Sequence, residues 1–187
     1  MKRGTRALGV AESALDSHSR LAGAVVRASR VVDGFVFGRC TVGGSDATTA
    51  VCDLFDRLGR EDIRYVLLAG IAPAWFNIVD LRVVADYTDR PTISVSFEAS
   101  PGLDGAIRDA FDDPAVAAAR LDTYRAQPPR HECPVEDETV FVRAVGIDTE
   151  DAADVVRAYT PEGGRPEPLR VARMAARAHA DAADRRP

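Results

Sequence analysis

RALGVAESALDSHSRLAGAVVRASRVVDGFVFGRCTVGG, residues 6–44, is the stretch that decides the fold. Three runs in it, Arg6 to Glu12, Leu21 to Ala28 and Val31 to Val42, are rich in Val, Leu, Ala and Phe and are separated by turn-like breaks, the composition of strands. Ser29-Arg30 leaves room only for a tight link, so the second and third runs pair as an antiparallel hairpin. Gly43-Gly44-Ser45 then breaks the sheet.

Beyond that break the period changes. Ala47, Val51, Leu54, Phe55 and Leu58 form a helical stripe closed by Gly59. Ile63 to Ile71 is a near-continuous apolar run, as a central strand buried on both faces requires. A helix is expected from about Asn77 to Thr88, stopped by Arg90-Pro91, and a strand over Thr92 to Phe97, where polar and apolar residues alternate. Helices are expected at Leu103 to Phe111 and Pro114 to Ala126, a strand at Thr139 to Val145, and a helix at Asp151 to Tyr159. Residues 128–138 read as a polar, Pro-rich loop and the least ordered stretch. Three antiparallel strands followed by alternating helices and strands is an α/β order of the ribonuclease H-like kind, with a mixed sheet. One domain over residues 1–187, with a C-terminal helix from about residue 168, accounts for the pattern.

The length of 187 residues buries enough surface that no disulfide or structural metal is needed. Hydrophobic residues at 46% and charged residues at 28% exclude a disordered chain. No apolar run is long enough to span a membrane, and Leu8 to Ser13 is too short and polar for a signal segment, so a soluble cytoplasmic protein is expected. One lysine stands against 23 arginines, and 20 aspartates against nine glutamates. That bias suits concentrated salt, where hydrated carboxylates keep a surface soluble, and it also follows from GC-rich coding. A net charge of −5 excludes a uniformly basic coat for nucleic acid but leaves local basic patches. Cys40, Cys52 and Cys133 match no zinc or redox spacing and read as core residues.

Three carboxylates fall at strand ends and helix starts: Glu12, Asp46 and Asp80. Such a set can hold Mg²⁺, which takes oxygen ligands and keeps waters for a phosphate substrate. Each has a local alternative. Asp46 suits a helix N-cap, Asp80 lies three residues after Asn77 like a capping pair, and Glu12 suits a solvated strand end. On the last helix Arg170, Arg173 and Arg177 share one face, which serves either phosphate contact or pairing with aspartates. Trp75-Phe76 either stacks on a base or closes the edge of the core.

Arg6-Ala7-Leu8-Gly9-Val10, Val42-Gly43-Gly44-Ser45-Asp46-Ala47-Thr48, Gly70-Ile71 with Phe76-Asn77-Ile78-Val79-Asp80, and Pro166-Glu167-Pro168-Leu169-Arg170-Val171-Ala172 occur in one order over about residues 3 to 178. In that combination the chain resembles the archaeal endonuclease dU family, which is similar to endonuclease V. The resemblance implies a ribonuclease H-like fold and Mg²⁺- or Mn²⁺-dependent cleavage of DNA near a deaminated base, deoxyuridine in this family. With that chemistry in view, Glu12, Asp46 and Asp80 are the catalytic and metal-site candidates of this chain, with Glu167 beside them. Arg170, Arg173, Trp75, Phe76 and Asn77 become the nucleic-acid contacts.

Three polar positions of that family's pattern are changed. The family has Asp where this chain has Ala11 and Gly43, and His where it has Arg173. Adjacent strand residues face opposite ways, so Glu12 replaces an acid at position 11 only where the strand ends or bulges. The resemblance therefore leaves two expectations: a nuclease rebuilt around Glu12, Asp46 and Asp80, or a catalytically degenerate nucleic-acid-binding protein on the same fold.

Overall fold

The computed structural model describes residues 1–15, 17–161 and 164–184. The three strands expected first are β1 (Arg6–Ala14), β2 (His18–Arg27) and β3 (Val32–Thr41), an antiparallel meander that passes into α1 (Ala47–Leu58). Then come β4 (Ile63–Ala69), a single turn α2 (Pro73–Phe76), α3 (Leu81–Thr88) and β5 (Thr92–Ser96). The chain continues through α4 (Asp104–Ala110), α5 (Pro114–Ala126), β6 (His131–Val135), β7 (Glu138–Val145), α6 (Thr149–Tyr159) and α7 (Glu167–Asp184). The seven strands lie in the order β3-β2-β1-β4-β5-β7-β6. β1, β4 and β5 run parallel, as their helical crossovers require, and every other pairing is antiparallel.

Strand alternation sorts the core onto two faces. Leu8, Val10, Val66 and Leu68 point to α1, α3, α4 and α5, where Leu54, Leu81, Ile107 and Leu121 meet them. Ala7, Leu67, Ile93 and Val95 point the other way, to Val155, Val156 and Tyr159 of α6 and Leu169 of α7. α7 lies close on β1 and β2 because both surfaces are small: Ala172 meets Ala11, Ala24 and Val26. All three cysteines are buried, and burial, with Asp46 and Glu12 adding, pushes the Cys40 thiol up to about 12.

Two expectations need correction. Residues 128–138 are not a loop throughout: His131–Val135 is an edge strand paired with β7. Only Cys133 and Val135 of it are buried, so the apolar signal is two residues long, and Pro134 sits where an edge strand tolerates it. The helix expected from Asn77 starts at Leu81, because residues 77–80 run extended into the cap.

At the opposite end of the meander, Asp33 accepts from Arg6 Nε (2.6 Å) and Arg27 Nε (2.7 Å), tying β3 to its neighbours. These hydrogen bonds, Arg27 first, hold its carboxyl down to about 2 from an ordinary 3.8. A depressed value stabilises the fold fully above the ordinary range, and the contribution is lost as pH falls toward 2. Asp33→Asn is therefore expected to melt below wild type at neutral pH, with the gap closing on acidification to about 2. Thermal melts by circular dichroism across that range check it, and a constant gap would count against the ion pair.

Candidate nucleic-acid interface

Open α/β sheets place ligands beyond the carboxyl ends of their parallel strands. There Glu12 lies on β1 just past its last pairing with β4, inside a strand that runs on to Ala14 rather than at the strand end the sequence suggested. β4 runs into Gly70-Ile71, and β5 ends with Ser94 and Ser96, all of them with Glu12 on a cleft of about 270 Å³. Tyr124 of α5 and Phe141 and Arg143 of β7 close its far wall, with Glu98, Ser100 and Arg130 above. Register explains the composition. Ser94 pairs with Arg143 and Ser96 with Phe141, so the half of β5 that turns away from Ile93 and Val95 is polar. The alternation in Thr92-Ile93-Ser94-Val95-Ser96 was the available signal for these residues, since a polar face inside a mixed sheet needs a reason.

The rim of the cleft carries a left-handed turn. Ala74, Trp75 and Phe76 have φ of 48°, 58° and 56°, a conformation that costs on the order of 1 kcal/mol or more per non-glycine residue. Gly43 N–H donates to Ala74 O (2.7 Å) and Asn77 N–H to Pro73 O (3.0 Å), which hold it. Gly43 itself has φ +67°, so a side chain there would be strained. The result is a Trp75 side chain 60% exposed next to Pro73, a cleft residue, while Phe76 packs against the core.

The sequence candidates separate. Asn77 is fully buried and its amide is taken up by the protein itself, which places it in the scaffold of the site and not at the nucleic-acid surface where the sequence reading put it. Its Oδ1 accepts from Ala47 N–H (2.9 Å), and its Nδ2 donates to Thr41 O (2.9 Å) and Asp46 Oδ1 (2.6 Å). The cap of α1 thus comes from Asn77, and Asp46 at the N-cap position makes no cap bond of its own. Asp46 instead accepts from Thr41 N–H and Thr41 Oγ1. Burial raises its carboxyl, but the Thr41 and Asn77 hydrogen bonds outweigh this and hold it below the ordinary range. Thr48 Oγ1 accepts from Asp80 N–H (3.0 Å), and Asp80 caps α3 by accepting from Arg82 N–H (2.9 Å). Ser45-Asp46-Ala47-Thr48 and Asn77-Ile78-Val79-Asp80 are therefore two halves of one clasp. Asp80 faces a separate recess with Ser45, Thr48 and Arg120.

Glu12 alone of the four carboxylates lines the cleft, and it accepts from Ser19 Oγ. Glu167 takes both arms of Arg170 (2.6 and 2.7 Å), so each uses the other, and Arg170 holds the Glu167 carboxyl below its ordinary range. Arg173 and Arg177 stand exposed on α7. Asn77→Ala would strand the Ala47 N–H and take one donor each from Thr41 O, which keeps Gly44 N–H, and Asp46 Oδ1, and a loss of about 2 kcal/mol is expected. Urea unfolding checks it, and a wild-type midpoint would refute the clasp.

The Asn77 clasp, the Gly9 contact with the start of α7 and the strand order fall on the segments that carried the resemblance. A family model described as endonuclease dU matches residues 3–180. The chain belongs to the endonuclease dU family. A UPF0215 protein of Thermococcus kodakarensis is 36% identical over 160 residues, covering 84% of this chain and 80% of the relative. A protein of unknown function from Archaeoglobus fulgidus has a solved structure that superposes with TM-score 0.81 at 26% identity, covering 93% and 97% of the two chains. The Ciona intestinalis endonuclease V, solved with a DNA 24mer containing an inosine followed by a ribo-adenosine, superposes at TM-score 0.63 and 13% identity, covering 96% and 87%. The fold is thus the ribonuclease H-like arrangement of the endonuclease V structures.

For this member of the endonuclease dU family the expected divalent metal can be tested against the donor set. Among the described residues no three His, Cys, Asp or Glu side chains gather where a cation could sit. Ala11, where the family pattern carries Asp, is 3% exposed and closed in by Ala24, Val26 and Ala172. The described donors therefore do not fit a several-carboxylate metal centre. No helix among the described residues is long and apolar enough to cross a membrane.

Proposed function

We propose that this chain binds DNA at a deaminated base, deoxyuridine foremost, and that binding rather than strand cleavage is its main activity. One observation carries the reading. Of the four candidate carboxylates, Glu12 lines the cleft, Asp46 and Asp80 are bound into the clasp with Asp80 turned to a separate recess, and Glu167 lies at the start of α7. Among the described residues no three gather, and each has its own hydrogen-bond partner. The DNA half of the reading is supported by the family description and by the DNA held by the Ciona endonuclease V.

Reading one base requires lifting it from the stack, which costs least where pairing is already weakened. Trp75 stands beside the cleft on a turn whose strain is already met by the fold, so it offers a fixed aromatic face to a base. The exposed Arg173 on α7 adds charge for the backbone.

A second reading, Mg²⁺- or Mn²⁺-dependent cleavage near deoxyuridine, is favoured by the family description and by Glu12 and Glu98 sharing the cleft. The two part on the fate of the bound strand.

Trp75 is the only tryptophan, so its emission reports the rim of the cleft. An oligonucleotide with one deoxyuridine is expected to quench it at lower concentration than the undamaged sequence. Trp75→Ala, followed by anisotropy of a labelled strand, is expected to lose about 1–3 kcal/mol of binding. No binding of either oligonucleotide at low salt would refute the reading.

A further inference from the structure

Among the described residues eight arginines lie within ion-pair distance of a carboxylate. Arg130 and Arg143, both on the cleft, have no such partner, although Glu12 and Glu98 line the same space. They are held instead by neutral groups. Arg130 donates to Ser100 O (2.6 Å), Ser100 Oγ (3.4 Å) and Glu98 O (3.4 Å), and its guanidinium lies 4.3 Å from the Phe141 ring centre. Arg143 donates to Pro128 O and to Tyr124 Oη (3.3 Å) and lies 5.3 Å from the Tyr124 ring centre.

Carbonyls and aromatic faces orient a guanidinium without cancelling its charge. Among the described residues only Nη1 and Nη2 of each make protein hydrogen bonds, so the Nε–H edge of both forks is left for a ligand. Burial disfavours the Arg143 charge, and the neighbouring Arg130 adds to that cost. Two like charges kept side by side in a concave, half-buried wall are stabilised by an anion between them. A planar fork backed by a ring suits the oxygens of a phosphate better than a lysine would.

We propose that Arg130 and Arg143 form a phosphate site on the β5–β7 wall of the cleft, taking a backbone phosphate of a nucleic-acid strand. Ser96 lies beside the pair and adds a hydroxyl to the same wall. The site rests on the DNA-binding reading only for the source of the phosphate, since the pair would contact damaged and undamaged strands alike.

The test uses the full chain with Arg143→Gln, Arg130→Gln and, as a control at the other end of β4, Arg64→Gln. Anisotropy is measured with an undamaged oligothymidine and with a strand carrying one deoxyuridine over a KCl series, and inorganic phosphate is added as competitor. Each cleft variant is expected to bind undamaged DNA about tenfold more weakly. Each should also lower the slope of log affinity against log salt by about 1, with the Arg64 variant unchanged. Should Arg143→Gln fail to fold, Arg130→Gln, whose side chain rests on the surface of Phe141, carries the test.

Folded variants with wild-type affinity and slope would overturn the site, even with the deoxyuridine preference intact. Equal binding of both strands, lost in the variants, would uphold the site and remove the lesion reading. No oligonucleotide binding, with inorganic phosphate raising the melting temperature of wild type but not of Arg130→Gln, would overturn the nucleic-acid source and leave a site for free phosphate.

Discussion

Gly9→Ala is expected to cost about 3–4 kcal/mol and to lower the melting temperature by roughly 10 °C. Gly9 lies in the middle of β1, where α7 begins across the sheet. A β-carbon built there falls 2.3 Å from the Pro168 carbonyl carbon and 2.4 Å from its oxygen. The obstacle is backbone at the first turn of a helix, so no side-chain rotation relieves it. α7 has to lift, which opens the contact of Ala172 with Ala11, Ala24 and Val26. Gly4→Ala is the matched control, because a β-carbon at Gly4 has nothing within 4 Å. Equal melting temperatures for the two variants would show that α7 does not sit on β1 in this way.

Ala11→Asp is expected to cost about 3–5 kcal/mol, the penalty for an unpaired charge placed among apolar groups. Ala11 points toward α7, where it packs in an apolar cluster with Ala24, Val26 and Ala172. Ala11→Ser changes volume less and brings no charge, so it should fall between wild type and Ala11→Asp. The position also discriminates chemistry. If this site could complete a metal centre, Mg²⁺ would stabilise Ala11→Asp in proportion to its occupancy. The expected result is that melts of Ala11→Asp with and without Mg²⁺ superimpose. Recovery of stability on adding Mg²⁺ would contradict the closed apolar cluster and favour the nuclease reading.

What the sequence makes legible here follows from the length of each signal. The meander was plain because Leu21 to Ala28 and Val31 to Val42 are long apolar runs joined by a two-residue link, and β2 and β3 formed there. β6 was hidden because two buried residues and a proline carry no period. Asn77 misled for a different reason. Its spacing to Asp80 matches a capping pair, yet it caps a helix 30 residues earlier in the chain, a tertiary contact that no local window contains. The family motifs were legible as motifs but not as a clasp, since Ser45-Asp46-Ala47-Thr48 and Asn77-Ile78-Val79-Asp80 acquire their meaning only from each other. The cleft wall was missed because Arg130 and Arg143 meet Phe141 and Tyr124 through β5–β7 register, while either arginine alone reads as solvated surface.

The most direct test puts binding and cutting in one tube. An end-labelled strand with one deoxyuridine, single-stranded and in duplex, is incubated with the full chain and Mg²⁺ or Mn²⁺ from low to multimolar KCl. Each sample is divided between a native and a denaturing gel, with Glu12→Gln alongside. DNA that is retained on the native gel and intact on the denaturing gel, for wild type and Glu12→Gln alike, is the expected result. A cut beside the deoxyuridine that Glu12→Gln abolishes would contradict it and make this cleft a working nuclease centre.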